Sequence, residues 1–138
     1  MRSERTLLER IDAAASPEAQ RATTDLGAAV DSVIGHLRRM LNVRQGSVET
    51  LPGYGMPDFN DILNAHRDHI SVLQRTIRDM VTAYEPRLTD VRVGHLPNED
   101  DPLDLRFKIT ARLRLDGEDT SVEIETLVGD GGRMDVRG

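Results

Sequence analysis

The chain has no cysteine and no tryptophan. The first absence excludes disulfides, thiolate metal sites and a cysteine nucleophile. Aromatic residues are 3% of the sequence: Tyr54, Tyr84, Phe59 and Phe107. A sugar-binding groove or a base-stacking platform usually draws on more rings than that. Lysine is reduced to Lys108, beside 17 arginines. Against these stand 24 acidic residues and a net charge of −6, which argues against a general nucleic-acid binder. No apolar run approaches ~18 residues, so no segment is expected to span a membrane. The start, Met1-Arg2-Ser3-Glu4-Arg5, leads into an amphipathic segment without the apolar stretch of a secretory signal. The expectation is a soluble intracellular protein.

What is present is ordinary globular composition: 38% hydrophobic and 30% charged residues over 138 positions. That length suits one domain, or one domain with an appended helix. The arginine bias suits bidentate contacts to carboxylates, though genomic base composition is the blander cause. Most of the acidity sits after residue 85, and no repeat or low-complexity tract is visible.

The first half reads as helix. Ser3 is placed to cap a short helix over residues 3–15, with Leu7, Leu8 and Ile11 on one stripe. Ser16-Pro17 offers a stop and a restart, with serine as cap and proline at the first helical position. Leu26, Val30, Val33, Ile34, Leu37, Met40 and Leu41 recur at 3- and 4-residue steps, which predicts a helix from about Thr24 to Asn42. Arg44 through Asp58 is too rich in glycine and proline for helix and is expected to be a long structured loop. Phe59, Ile62 and Leu63 suggest a helical turn. A further helix is expected from about Asp68 to Glu85, with Ile70, Leu73, Ile77, Met80, Val81 and Tyr84 inward.

Pro86 ends that helix, because its ring removes a donor and disfavours helix at Glu85. The period then becomes 2. Val91 and Val93 suggest a short strand. Leu105, Phe107, Ile109, Ala111, Leu113 and Leu115 alternate with polar residues, as do Val122, Ile124, Thr126 and Val128. Asp116-Gly117-Glu118-Asp119 is expected to turn between them, pairing Leu115 with Val122, Arg114 with Glu123 and Arg112 with Glu125. Gly129-Asp130-Gly131-Gly132 is a second turn before a short edge strand with Met134 and Val136. The fold class is therefore α+β, with N-terminal helices packed on one face of a small antiparallel β-meander. The expected division is an N-terminal helix and linker at 1–23 and the main domain at 24–138.

Few residues suggest chemistry. His66 and His69 stand three apart, but a metal site needs more ligands, and two solvated histidines are favoured. Glu99-Asp100-Asp101 before Pro102 lacks the ligand spacing of a calcium loop and reads as a turn. No phosphate-binding glycine motif is present, and no cofactor is expected. Glu85-Pro86-Arg87 stands out. A proline there fixes the chain direction between an anion and a cation, where helix hands over to sheet. One reading is a helix stop with a local ion pair. The other is an arginine fork that meets a carboxylate or backbone carbonyls across an interface.

Four segments carry a resemblance. They are Leu41-Asn42-Val43-Arg44-Gln45-Gly46, Leu51-Pro52-Gly53-Tyr54-Gly55-Met56-Pro57-Asp58-Phe59, Tyr84-Glu85-Pro86-Arg87-Leu88 and Asp101-Pro102-Leu103-Asp104-Leu105-Arg106-Phe107. In order and spacing over about residues 24–137 the chain resembles the phage-tail baseplate wedge family, also labelled lysozyme-like, and within it the TssE subunits of type VI secretion. Val43 stands where those members often carry threonine. The resemblance implies a structural role in the baseplate of a contractile injection machine. It implies TssF, TssG and TssK as baseplate partners, and a platform for polymerisation of the TssB–TssC sheath. It also implies a cytoplasmic place in a baseplate docked at an inner-membrane complex, with no membrane insertion and no nucleic-acid partner. Glu85, Pro86 and Arg87 become the interaction site. Leu41, Asn42, Arg44, Gly46, Pro52, Tyr54, Gly55 and Pro57 become the structural motif. The sheet resembles the strand-exchange region of sheath subunits, and a small sheet with a free edge can accept a strand from another chain.

Two alternatives follow from the same resemblance. One is a peptidoglycan-cleaving enzyme, as the lysozyme-like label suggests. Glycoside hydrolysis needs two carboxyl groups about 5–9.5 Å apart, one with a raised pKa. Glu85 has no acidic neighbour three or four residues back, and Arg87 favours its ionised form. The scaffold reading is ahead. The other is the equivalent wedge protein of a phage or an extracellular contractile particle.

Overall fold

The computed structural model describes residues 17–98, 100, 105–129 and 132–138. Three helices precede four strands: α1 (Pro17–Asn42), α2 (Phe59–Ala65), α3 (His69–Tyr84), β1 (Leu88–Leu96), β2 (Leu105–Leu115), β3 (Glu118–Val128) and β4 (Met134–Arg137). The expected helix at residues 3–15 lies outside the described residues, as do Glu99 and Asp101 of the acidic turn.

The second and third helices start where a side chain satisfies a free backbone donor. Pro17 opens α1 at the first helical position. Asp58 caps α2 by accepting from the Asn60 amide, and Asp68 caps α3 by accepting from the Ser71 amide. The helical stripes then bury the expected residues. Leu37 and Met40 of α1 and Ile77 and Val81 of α3 are essentially sealed from water. They meet one face of the sheet, formed by Phe107, Ile109, Ala111 and Leu113 of β2, Val122 and Ile124 of β3, and Met134 and Val136 of β4. Leu63, which the pattern placed with Ile62, lies on the outer side of α2 and is exposed.

The sheet is a meander in the order β1-β2-β3-β4, all neighbours antiparallel. The expected α+β class, with helices on one face, is what the chain forms. One detail differs. Leu115 pairs with Glu118, not Val122, and Arg114 faces Asp119, not Glu123; Arg112 faces Ser121, not Glu125. The reason is the turn. Asp116 and Gly117 both take positive φ, 52° and 81°, which closes the hairpin with these two residues between the paired positions, where the expected pairing left about six. The displacement is four residues, an even number, so the apolar set stays on the buried face. β1 is also longer than Val91 and Val93 implied. It reaches back to Leu88 and passes an irregularity between Thr89 and Arg92, where Asp90 takes φ 52°.

The two sheet edges are treated differently. At β4, Asn42 of α1 donates to the Met134 carbonyl at 2.8 Å and accepts from the Met134 amide at 2.9 Å. Arg38 donates to the Val136 carbonyl at 3.0 Å. Side chains of α1 thus take the place of a fifth strand. At β1, the helix α3 reaches the strand backbone through Gln74, whose Nε2 donates to the Val93 carbonyl at 3.3 Å.

Candidate functional site

The turn after α3 is built from three consecutive residues. Glu85 ends the helix, its amide donating to the Val81 carbonyl. Pro86 supplies a fixed φ for the turn, which closes with the Leu88 amide donating to the Glu85 carbonyl at 3.2 Å. Arg87 therefore folds back onto Glu85. Its Nε donates to Oε1 at 2.8 Å and its second terminal nitrogen to Oε2 at 2.9 Å. That is the bidentate fork geometry of a strong arginine–carboxylate pair. The Arg87 amide adds a third bond to Oε1 at 3.2 Å.

The fourth donor comes from α1. His36 Nδ1 lies 2.7 Å from Glu85 Oε2. An ionised carboxylate only accepts, so Nδ1 carries the hydrogen. Four donors now meet the four acceptor sites of one carboxylate. The Glu85 side chain is only 2% exposed, whereas that of Arg87 is 40% exposed. Burial by itself pushes the Glu85 carboxyl up, but the bonds from Arg87 and His36 outweigh it and hold the group at about 2. The same pairing raises the Arg87 guanidinium further above its ordinary value.

Arg87 keeps donors to spare. One terminal nitrogen donates to Ser32 Oγ of α1 at 2.8 Å. Of its five N–H groups, those not held by Glu85 and Ser32 remain at the half-exposed surface. The segment is thus a buried anion that aims an accessible cation. Glu85 is the brace, Pro86 the exposed bend and Arg87 the reachable group.

The motif residues of the first loop support this corner and the ground beside it. Leu41 is core, and Asn42 holds the β4 edge. The loop ends are zipped by a short parallel bridge between Arg44 and Met56, with the Gln45 amide bonded to the Met56 carbonyl and the Met56 amide to the Val43 carbonyl, both at 2.8 Å. Gly55 is buried beneath this bridge, while Gly46 and Pro52 lie at exposed turns. Tyr54 stacks on His36 and meets Tyr84 edge to face, so the loop reaches the Glu85 network through aromatic rings. Arg44 pairs with Asp58 at 3.3 Å, and Pro57 lines the same surface.

Ser32 and His36 are the members of the network that the motif reading did not single out. They stand four apart on α1, so that they share one face was visible. Their partners, Arg87 for Ser32 and Glu85 for His36, lie 55 and 49 residues further along, and no local signal gives those contacts. His66 and His69, by contrast, do not share a helix: His66 caps the end of α2 and His69 opens α3. Among the described residues no group of three or more acidic or histidine side chains is placed to hold a metal. Nor, among them, is any helix long and apolar enough to cross a membrane.

Comparison with known proteins gives one family. The family described as baseplate wedge protein gp25 matches residues 28–118. No curated protein matches the chain. Among solved structures, a chain of the baseplate complex from the type VI secretion system aligns at a TM-score of 0.58 with 23% identity, over 77% of this chain and 98% of that one. A chain described as a tail lysozyme, from Geobacter sulfurreducens, aligns at 0.48 with 18% identity, over 69% of this chain and 86% of that one. The matched span contains α1 from Ala28, both loop motifs, the Glu85-Pro86-Arg87 turn and all of β2, and on that ground the chain belongs to the baseplate wedge protein gp25 family.

Proposed function

We propose that this chain is a structural wedge subunit of a type VI secretion baseplate, equivalent to TssE. In this reading it joins the baseplate to the contractile sheath and supports the start of sheath polymerisation. Its baseplate partners are TssF, TssG and TssK, and its sheath partners TssB and TssC, in a cytoplasmic baseplate docked at the inner membrane. The wedge domain is placed at 24–138, with 1–23 as an appendage.

The observation that carries the reading is the braced arginine. A cation held in one direction by a buried carboxylate loses little freedom on meeting a partner. Its free N–H groups suit a carboxylate or carbonyl of another polypeptide. A second feature supports the sheath contact. The β1 edge is met by Gln74, where the β4 edge is closed by Asn42 and Arg38, so a partner strand would add at β1, displacing Gln74.

We read the protein as non-enzymatic. A carboxyl held at about 2 stays ionised at neutral pH and is the wrong form for a general acid. Purified protein incubated with peptidoglycan is expected to release no soluble muropeptides; release that Glu85→Gln abolishes would reverse this assignment.

The direct test is assembly. Arg87→Ala and Arg87→Lys are expected to fold, to lose capture of the purified wedge subunits by at least about tenfold, and to reduce sheath assembly in cells. Normal sheath assembly with Arg87→Ala at equal protein levels would remove this turn from the interface.

A further inference from the structure

Beside the C-terminal end of α1 the chain forms an open groove of about 690 Å³. That size is in the range of ligand-binding clefts. Its walls carry Arg38, Arg39, Arg44 and Arg133, and half-buried Met56 and Phe59 contribute apolar surface. Asp58 is the one acidic residue among its described lining. Four guanidinium groups around one carboxylate is an unusual local balance for a chain of net charge −6.

The four arginines divide into two pairs. Arg38 is anchored by its bond to the Val136 carbonyl, and Arg44 by its pair with Asp58. These bonds fix the walls. Arg39 and Arg133 are exposed and make no side-chain hydrogen bond or ion pair among the described residues. The two loop motifs build the rest: the Arg44–Met56 bridge sets one rim, and the cap of α2 sets another.

We infer that this groove docks an acidic polypeptide segment, with two or more carboxylates around an apolar or aromatic side chain that seats on Met56 and Phe59. Charge complementarity selects the carboxylates, since planar forks bind them bidentately. The apolar seat selects a side-chain anchor over a bare polyanion. A nucleic acid fits less well, because its phosphates would run from the groove onto a surface that is acidic overall. Ser32, His36, Glu85 and Arg87 do not line this groove, and the inference stands apart from the role of Arg87.

The test uses the full chain and an array of 12-residue peptides. Each peptide carries a central Leu-Phe pair flanked by zero, two, four or six acidic residues, the remainder being Gln or Ser. Retention is expected to rise with the acidic count. The double variant Arg39→Glu with Arg133→Glu should lose at least tenfold in affinity. Arg112→Glu with Arg114→Glu, an equal charge change on the outer face of β2, should keep binding within about twofold. Retention that ignores the acidic count overturns the inference. So does equal loss in both double variants, which would mean overall charge alone, or tighter binding of a single-stranded oligothymidine than of any peptide.

Discussion

Glu85 shows how one buried charge organises a surface. Its carboxylate accepts from Arg87 three times and from His36 once, and water hardly reaches it. Removing the charge leaves the donors of Arg87 and His36 facing a poor acceptor. Glu85→Gln is therefore expected to cost about 2–4 kcal/mol in urea denaturation, less than a fully buried pair because Arg87 is half-exposed. A loss below about 0.5 kcal/mol would mean that the network is solvated and that the brace does not operate. The residue pattern announced Glu85 and Arg87 as a pair, since two charges flanked a proline. It could not rank them. Which one is buried depends on α1 packing over the turn, and that is a matter of helix position, not of residue type.

Among the elements, the loop between α1 and α2 has the most specific requirements. Its glycines and prolines were legible as loop, but its shape comes from a bridge between residues twelve apart. Gly55 is the tight point. Its φ is +106°, and a Cβ there would lie 2.6 Å from the Val43 carbonyl oxygen and 3.0 Å from the backbone of Arg44 and Gln45. Backbone cannot move aside as a side-chain tip can. Gly55→Ala is expected to destabilise by about 2 kcal/mol or more, read as a lowered thermal midpoint. Faster hydrogen exchange should appear at the Gln45 and Met56 amides, which the bridge protects. An unchanged midpoint would show that the bridge opens without cost. The β2–β3 hairpin teaches a related point about elements. Alternation specified its buried face, while the left-handed conformations of Asp116 and Gly117 specified its register.

At the scale of the whole molecule, the Glu85 network couples three elements that are remote in sequence: α1, the loop through Tyr54, and the turn into β1. Acid should uncouple them. The folded-state carboxyl sits at about 2 against an ordinary value of 4.5, so its contribution is complete above about 4.5 and is lost as pH falls through about 2. The size is of order 3 kcal/mol. Stability measured from pH 5 to pH 2 should fall, and Glu85→Gln should flatten part of that slope. An identical slope in the variant would assign acid loss to other carboxylates. Full unfolding should also release the β4 edge from Asn42 and Arg38, exposing a strand that the native fold keeps covered.

Residue periodicity was enough for the helices, the strands and the meander, because burial of one face imposes a 3.6 or a 2.0 repeat that is written locally; the family was legible separately, in the order and spacing of the loop and turn motifs. The partnership of His36 with Glu85, the closure of β4 by Asn42, and the gathering of four arginines around one groove were not written that way. Each joins side chains from segments whose distance in space is set only when α1 packs beside the sheet, and no repeat along a chain encodes a contact between two of its distant parts.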